Sequence, residues 1–312
     1  WALRANGEGA GGGGRGATPP GLPRPIEGIT NATQIDIGGT AGAGQGCAVL
    51  ADKTVACWAA YENSGLLAGQ TAPAPLTGVA IPGATDVAQI AVGYDTACYI
   101  RGDGKVLCWG DAYEGALGRD TEEDATEPVE IPRLARATHI AGNGYNFCVV
   151  HSGGKLSCWG SNDDGQIGNG KMDAEKPATP TEVKGVRGAV ASVIGSGTTC
   201  AVLENGEAMC WGSNPWNECG INDGENDNIL KAAQVLRTED PTVKEWQGFV
   251  AMATGLRFTC AVHADGNVSC WGDTPITASD NILGINSTRS GFPVPAPGIT
   301  FPPPATELAP AT

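Results

Sequence analysis

Ten of the eleven cysteines fall into pairs with a single spacing: Cys47 with Cys57, Cys98 with Cys108, Cys148 with Cys158, Cys200 with Cys210, and Cys260 with Cys270. Such pairs can oxidise to bridges, ligate a metal, or pack as reduced thiols. Metal ligation fails on residue type, because the chain has no Cys-x-x-Cys and only three histidines to complete a zinc site. A bridge within a pair would close an eleven-residue loop and, by chain entropy, add about 2.8 kcal/mol. Five such bridges imply an oxidising compartment, outside the cell or on its surface. Reduced thiols filling a repeat position are the other reading. Cys219 has no mate and stands where other copies place an aliphatic residue before glycine, as in Leu117-Gly118, Ile167-Gly168 and Leu283-Gly284. It reads as a buried free thiol acting as a small hydrophobe rather than as half of an intermolecular bridge.

Other reactive constellations are missing. His139, His151 and His263 fall in strand-like or hairpin segments with no cysteine, serine or acidic partner at a recurring offset, so no catalytic residue is expected. The glycine run at 38–46 lacks the Gly-Lys-Ser/Thr ending of a phosphate loop. The acidic stretch 222–228 offers Asp223, Glu225 and Asp227 at alternate positions but lacks the glycine and the bidentate glutamate of a calcium loop. It reads as a solvated loop, and so does 120–127. No cofactor and no metal are expected. Asn31, Asn267 and Asn286 each open an Asn-x-Ser/Thr sequon, which matters only in a eukaryotic source.

The elements that position the cysteines follow from what lies between them. Asp103-Gly104, Gly153-Gly154, Asn205-Gly206 and Asp265-Gly266, with the weaker Asp52-Lys53, are turn signals at a constant offset, so each pair frames a β-hairpin. Side chains alternate between faces, so the turn length decides whether the cysteines meet. A two-residue Asp-Gly turn would keep Cys98 from opposing Cys108. A three-residue bulged turn, Gly102-Asp103-Gly104, sets them directly opposite.

The first cysteines, at 47, 98, 148, 200 and 260, recur every 50 to 60 residues, the range of propeller blades. The third copy reads as four strands, at 137–144, 147–152, 155–161 and 180–186. Segments such as Cys-Ala-Val-Leu are apolar on both faces, as in sheets stacked between neighbours. The fold class is therefore all-β, a propeller of four-stranded blades. The phrase Cys-Trp-Gly recurs, with the tryptophan on the face opposite the cysteine and glycines allowing a sharp turn toward the outer strand.

The phrases Cys-Ala-Val-Leu…Asn-Gly…Cys-Trp-Gly-Ser-Asn at 200–214 and Trp-Gly-Ser-Asn-x-x-Gly-Gln-Ile-Gly-x-Gly at 159–170 resemble the regulator of chromosome condensation repeat. The resemblance covers nearly the whole chain in five copies. It implies a propeller, usually seven-bladed, in a family whose members mostly bind proteins. The paired cysteines resemble the secreted bacterial form of the repeat. Nuclear members act on chromatin and a small GTPase. Against both roles here stand the cysteines and a formal charge of −15 without any cluster of Lys and Arg, which also excludes nucleic acid as a partner. No apolar run reaches the roughly 18 residues of a membrane helix, so no membrane insertion is expected.

The whole chain, 1–312, reads as one propeller domain: a partial repeat at 1–30, full repeats at 31–84, 85–136, 137–188, 189–248 and 249–304, and the start of another at 305–312. Trp1 in place of Met suggests a processed or truncated piece of a precursor. Three closures stay open: the two ends form a split sixth blade, the chain is part of a longer array, or another copy completes it by strand addition.

Tyr94, Tyr145 and Arg257 occupy near-equivalent turns between first and second strands and could form a ring on one face. Trp216 and Trp246 lie in the loop material of the longest repeat and are further contact candidates. The chain is expected to be a secreted or cell-surface, non-enzymatic interaction or structural module that binds a protein partner or copies of itself. The alternatives are a subunit of an extracellular filament or array and a secreted hydrolase or lyase with a site in the central channel.

Overall fold

The computed structural model describes residues 2–3, 9–11, 24–38, 45–59, 64–71, 77–134, 136–172, 178–221, 227–235, 248–273 and 289–300. Hairpin turns set the register of everything else. In the turn at 102–104, Arg101 N–H donates to the Lys105 carbonyl and Gly104 N–H to the Arg101 carbonyl, each at 2.8 Å, with Gly104 at φ 80°. That is a three-residue bulged turn, and it puts Cys98 opposite Cys108. Gly154, Gly206 and Gly266 take the same left-handed conformation, and Lys53 takes it at φ 62° where glycine is missing. The residue before each explains the Asp and Asn preference, because Asp52, Asp103, Asn205 and Asp265 each accept a hydrogen bond from the N–H two positions on.

Counting outward from those turns, each cysteine pair falls at a site where the strands exchange no backbone hydrogen bonds and approach most closely. All five pairs are bridged, with Cα atoms 4.0 to 4.1 Å apart.

Among the described residues the strands form six antiparallel meanders. The first has three strands, β1 (Ala2–Leu3), β2 (Gly9–Gly11) and β3 (Arg24–Pro25). Five four-stranded sheets follow, here sheets I to V. Sheet I is β4 (Ala32–Gly38), β5 (Gln45–Leu50), β6 (Val55–Trp58) and β7 (Val79–Ala80). Sheet II is β8 (Val87–Val92), β9 (Thr96–Arg101), β10 (Val106–Gly110) and β11 (Ala125–Glu130). Sheet III is β12 (Ala137–Asn143), β13 (Asn146–His151), β14 (Leu156–Gly160) and β15 (Thr181–Glu182). Sheet IV is β16 (Ala189–Ile194), β17 (Thr198–Leu203), β18 (Ala208–Gly212) and β19 (Ile229–Gln234). Sheet V is β20 (Phe249–Thr254), β21 (Phe258–His263), β22 (Asn267–Asp273) and β23 (Arg289–Thr300). The four strands read from the sequence of the third repeat are those of sheet III, with the outer one much shorter. The C-terminal stretch 305–312 lies outside the described residues, as do Trp1 and Leu283-Gly284.

The chain divides into two compact units, Trp1–Asn162 with Asp173–Glu182, and Asp163–Met172 with Val183–Thr312. Sheets I to III lie in the first and sheets IV and V in the second. In sheets I to IV the second and third strands are buried on both faces, which is why their sequences do not alternate, whereas β21 of sheet V alternates half-buried with buried positions.

The tryptophan of Cys-Trp-Gly explains how sheets lock together. Trp109 Nε1 donates to the Leu66 carbonyl and Trp159 Nε1 to the Ala116 carbonyl, each at 2.9 Å. In the second unit Trp211 reaches the Gln166 carbonyl at 2.8 Å and Trp271 the Glu218 carbonyl at 2.9 Å. Each acceptor belongs to the loop that follows the preceding third strand. The glycine closing that loop is required: Gly118, at φ 66°, would bring a Cβ to 2.9 Å from the Trp159 indole nitrogen. Cys219, fully buried, keeps its thiol at the corresponding position before Gly220.

First strands in the first unit are stitched by side chains. Gln34 donates from Nε2 to the Ile90 carbonyl (3.1 Å) and accepts from Ile90 N–H (3.2 Å), Gln89 accepts from Ile140 N–H (2.9 Å), and Asp36 accepts from Val92 N–H at 2.7 Å. Burial raises the Asp36 carboxyl to about 6, more than its backbone hydrogen bonds lower it. A folded-state value above the unfolded 3.8 makes the folded protein hold the proton more tightly, so stability is full below the unfolded value and declines as pH rises through the folded one. The wild type should therefore lose on the order of 1–3 kcal/mol relative to D36N between pH 4 and pH 7. Urea unfolding of both at the two pH values checks this, and parallel pH profiles would refute it.

Candidate interaction surface

The turns between first and second strands carry half-buried tyrosines, Tyr94 and Tyr145, beside the exposed Tyr113. In sheet II the turn is 93–95, closed by Gly93 N–H donating to the Thr96 carbonyl at 2.8 Å. In sheet III it is Gly144-Tyr145, with Gly144 at φ 60°. Tyr94 N–H donates to the Gly144 carbonyl at 2.8 Å, which joins the two turns, and Gln45 Nε2 of β5 donates to the Tyr94 carbonyl, which ties the first of them to sheet I. The rings then meet edge to face, with Tyr94 and Tyr145 centroids 4.9 Å apart at 90°. Tyr113, on a single 3-10 turn (Tyr113–Gly115), stands against Tyr145 at 5.0 Å and 69°, and is 56% exposed. Edge-to-face pairs of this kind hold aromatic area rigidly at a surface.

Carboxylates surround the rings. Asp111 accepts from Tyr113 N–H at 2.7 Å, Asp124 from Ala112 N–H at 2.9 Å, and Asp95 from the Ser64 hydroxyl at 2.7 Å. Asp111 is raised above the ordinary carboxylate range, first by burial and then by the like charges of Asp124 and Asp95. The Tyr145 phenol is raised by burial and then by Asp111, its neighbouring tyrosines and Asp95. The surface is aromatic and negative.

The second unit repeats the arrangement with other residue types. Arg257, in the turn before β21, lies over the Trp216 ring at 4.6 Å from its centroid, and its Nη1 is 3.8 Å from Asp273 Oδ2. Tyr145 meets Tyr113 as Arg257 meets Trp216: a turn residue of one sheet against an aromatic in the loop after the preceding third strand. The structure thus brings Tyr94 and Tyr145 together and Arg257 and Trp216 together, in separate units. Trp246 lies outside the described residues. Tyr113 was not singled out by the sequence. The signal available was its place between Gly110 and Gly118, matching Trp216 between Gly212 and Gly220.

One sequence reading needs correction. Histidine does have a serine partner at a recurring offset: His151 Nε2 is 2.9 Å from Ser157 Oγ, and His263 Nε2 is 2.7 Å from Ser269 Oγ. The register explains it, since each serine opposes the residue two before its histidine and so shares its face. In sheet IV the same places hold Leu203 and Met209. His263 and Ser269 are fully buried. A polar pair that replaces an apolar pair at a buried repeat position is a packing solution. Among the described residues no group of three or more His, Cys, Asp or Glu is arranged to hold a metal ion. Asp223, Glu225 and Asn286 lie outside the described residues.

A family model described as the regulator of chromosome condensation (RCC1) repeat matches residues 87–116, 137–166, 190–221 and 249–274, and a second of the same description matches 103–150 and 153–203. The matched stretches together cover more than half of the chain. Among solved structures, human WBSCR16 is 17% identical, covers 90% of this chain and 71% of its own, and superposes with a TM-score of 0.73. Prp20p from Saccharomyces cerevisiae, described with its binding to Gsp1p and histones, is 17% identical, with 85% and 63% covered and a TM-score of 0.69. Yeast RCC1 (Prp20) bound to Kap60 is 18% identical, with 81% and 59% covered and a TM-score of 0.65. The chain spans less than two thirds of the length of those two yeast chains. At such identities the likeness shows the fold, a β-propeller of four-stranded blades. No curated protein matches the sequence.

Proposed function

This chain belongs to the family of regulator of chromosome condensation repeats, and from that premise we propose that it is an extracellular protein-interaction module that catalyses no reaction. The observation that carries the reading is the tyrosine set in which exposed Tyr113 packs against half-buried Tyr145 and Tyr145 against half-buried Tyr94, held by backbone hydrogen bonds and ringed by carboxylates. Tyrosine supplies large contact area at little entropic cost and dominates interface hot spots. Prp20p is described as binding Gsp1p and histones, which supports protein partners as the class for this chain without naming them. Five bridges support a location outside the reducing cytosol.

Strand addition between copies receives less support. On β23, Pro293, Pro295 and Pro297 stand at alternate positions. Proline has no N–H, so that strand offers fewer donors along one edge to an incoming strand.

The surface is tested by placing a photo-crosslinking residue, Tyr113→p-benzoylphenylalanine, and by the same replacement at Val190, which is 51% exposed on a different unit. Irradiation in the protein's own source medium should give a discrete adduct from position 113 and none from 190. Equal labelling at both, or none at 113, would remove the tyrosine set as the contact.

A further inference from the structure

Along the rim of the first unit runs a groove of about 870 Å³, lined by the loop Gly118–Asp120, the segment 132–134 after β11, the β13–β14 hairpin and β15. The volume is that of an ordinary ligand site. The groove lies at the far end of β13 from Tyr145, because His151 closes that strand and Tyr145 precedes it. It is also chemically the reverse of the tyrosine surface, since Arg119, Arg133 and Lys155 line it in a chain that has 34 acidic residues against 19 basic ones.

The charges are unevenly neutralised. Lys155 Nζ is paired with Glu182 at 3.0 Å, and Asp120 stands exposed at the mouth. Among the described residues, neither Arg119 nor Arg133 has an acidic side chain within ion-pair distance. The Arg119 Nε is buried and has no hydrogen-bond partner among the described residues. A guanidinium nitrogen removed from water and given no acceptor is costly to the fold, and such a group is retained where something else supplies the acceptor. The Ser157 hydroxyl and the His151 ring, bonded to each other, add polar atoms to the wall, while Pro132, Leu134 and Pro180 give it apolar flanks.

We propose that this groove is a carboxylate-recognition site, in which Arg119 and Arg133 grip the acidic side chains of a peptide segment from a partner protein. Planar guanidinium groups pair two hydrogen bonds at a time with carboxylates, and the apolar flanks suit the methylene stems between backbone and charge. The site uses none of the tyrosines, so it stands or falls apart from the surface above. A free dicarboxylic acid presents the same chemistry in a smaller body.

Calorimetric titration at low salt with three probes decides the matter: a blocked triglutamate peptide, glutarate and a blocked trilysine peptide. Triglutamate should bind, and its affinity should fall about tenfold in R119Q/R133Q. Arg133 is exposed, so R133Q alone carries the test, with a smaller loss, if replacement of Arg119 disturbs folding. Absence of triglutamate binding, or binding unchanged by either variant, overturns the site. Glutarate binding as tightly as the peptide overturns the peptide as occupant, and trilysine binding that R133Q leaves intact overturns the charge logic.

Discussion

Unfolded in urea with a reductant present, the chain is expected not to regain its fold on dilution, whereas the same chain unfolded without reductant refolds. Each bridge closes an eleven-residue hairpin loop and contributes up to about 2.8 kcal/mol through the unfolded state. Five of them together rival the roughly 5–15 kcal/mol by which a typical domain is stable at all. In the folded state the reductant should act slowly on four of the bridges, whose cysteines are all buried, and soonest on Cys260–Cys270, where Cys260 is half-buried. Removing one bridge, as C148A/C158A, should cost about 2–3 kcal/mol in a urea titration. Denatured without reductant, the chain should offer a single reactive thiol, that of Cys219. A reduced chain that refolds to the original midpoint would show that the bridges are incidental to stability.

The second large effect is expected at Trp159. Its side chain is fully buried, stacks on Phe147 with centroids 5.8 Å apart, and donates to the Ala116 carbonyl. W159A removes the largest buried ring of sheet III and leaves a cavity, for a loss of about 3–5 kcal/mol. W159F keeps most of the volume but strands the Ala116 carbonyl, for about 1–3 kcal/mol. The ordering matters more than the sizes. If W159F unfolds at the wild-type urea midpoint, the indole hydrogen bond is not what fastens sheet III to the preceding loop.

Much of this architecture was legible because it is local and repeated. The offset of Asp103-Gly104 from Cys98 allowed a two- or a three-residue turn, only the longer of which lets the cysteines meet, and the structure has the longer one. The tryptophan's face followed from its place next to Cys158, and the buried thiol of Cys219 from its place before Gly220. What stayed hidden depends on residues far apart in sequence. Gln34 and Ile90, or Arg119 and Arg133 across a groove, share no local pattern. Tyr113 escaped because its loop is irregular: it stands three residues after Gly110, whereas Trp216 stands four after Gly212. The His151 and Ser157 pair was different: six residues separate its members and those of His263 and Ser269, so the offset was readable, but the register that makes them neighbours across a hairpin had to be known first.

The four indole clasps seen among the described residues point backward. Trp109, Trp159, Trp211 and Trp271 each give their proton to a carbonyl 43 to 53 residues earlier. During synthesis, therefore, the receiving loop has already left the ribosome when its tryptophan arrives. Each newly made repeat can dock on a finished predecessor, and no part of the clasp waits for chain still to be translated.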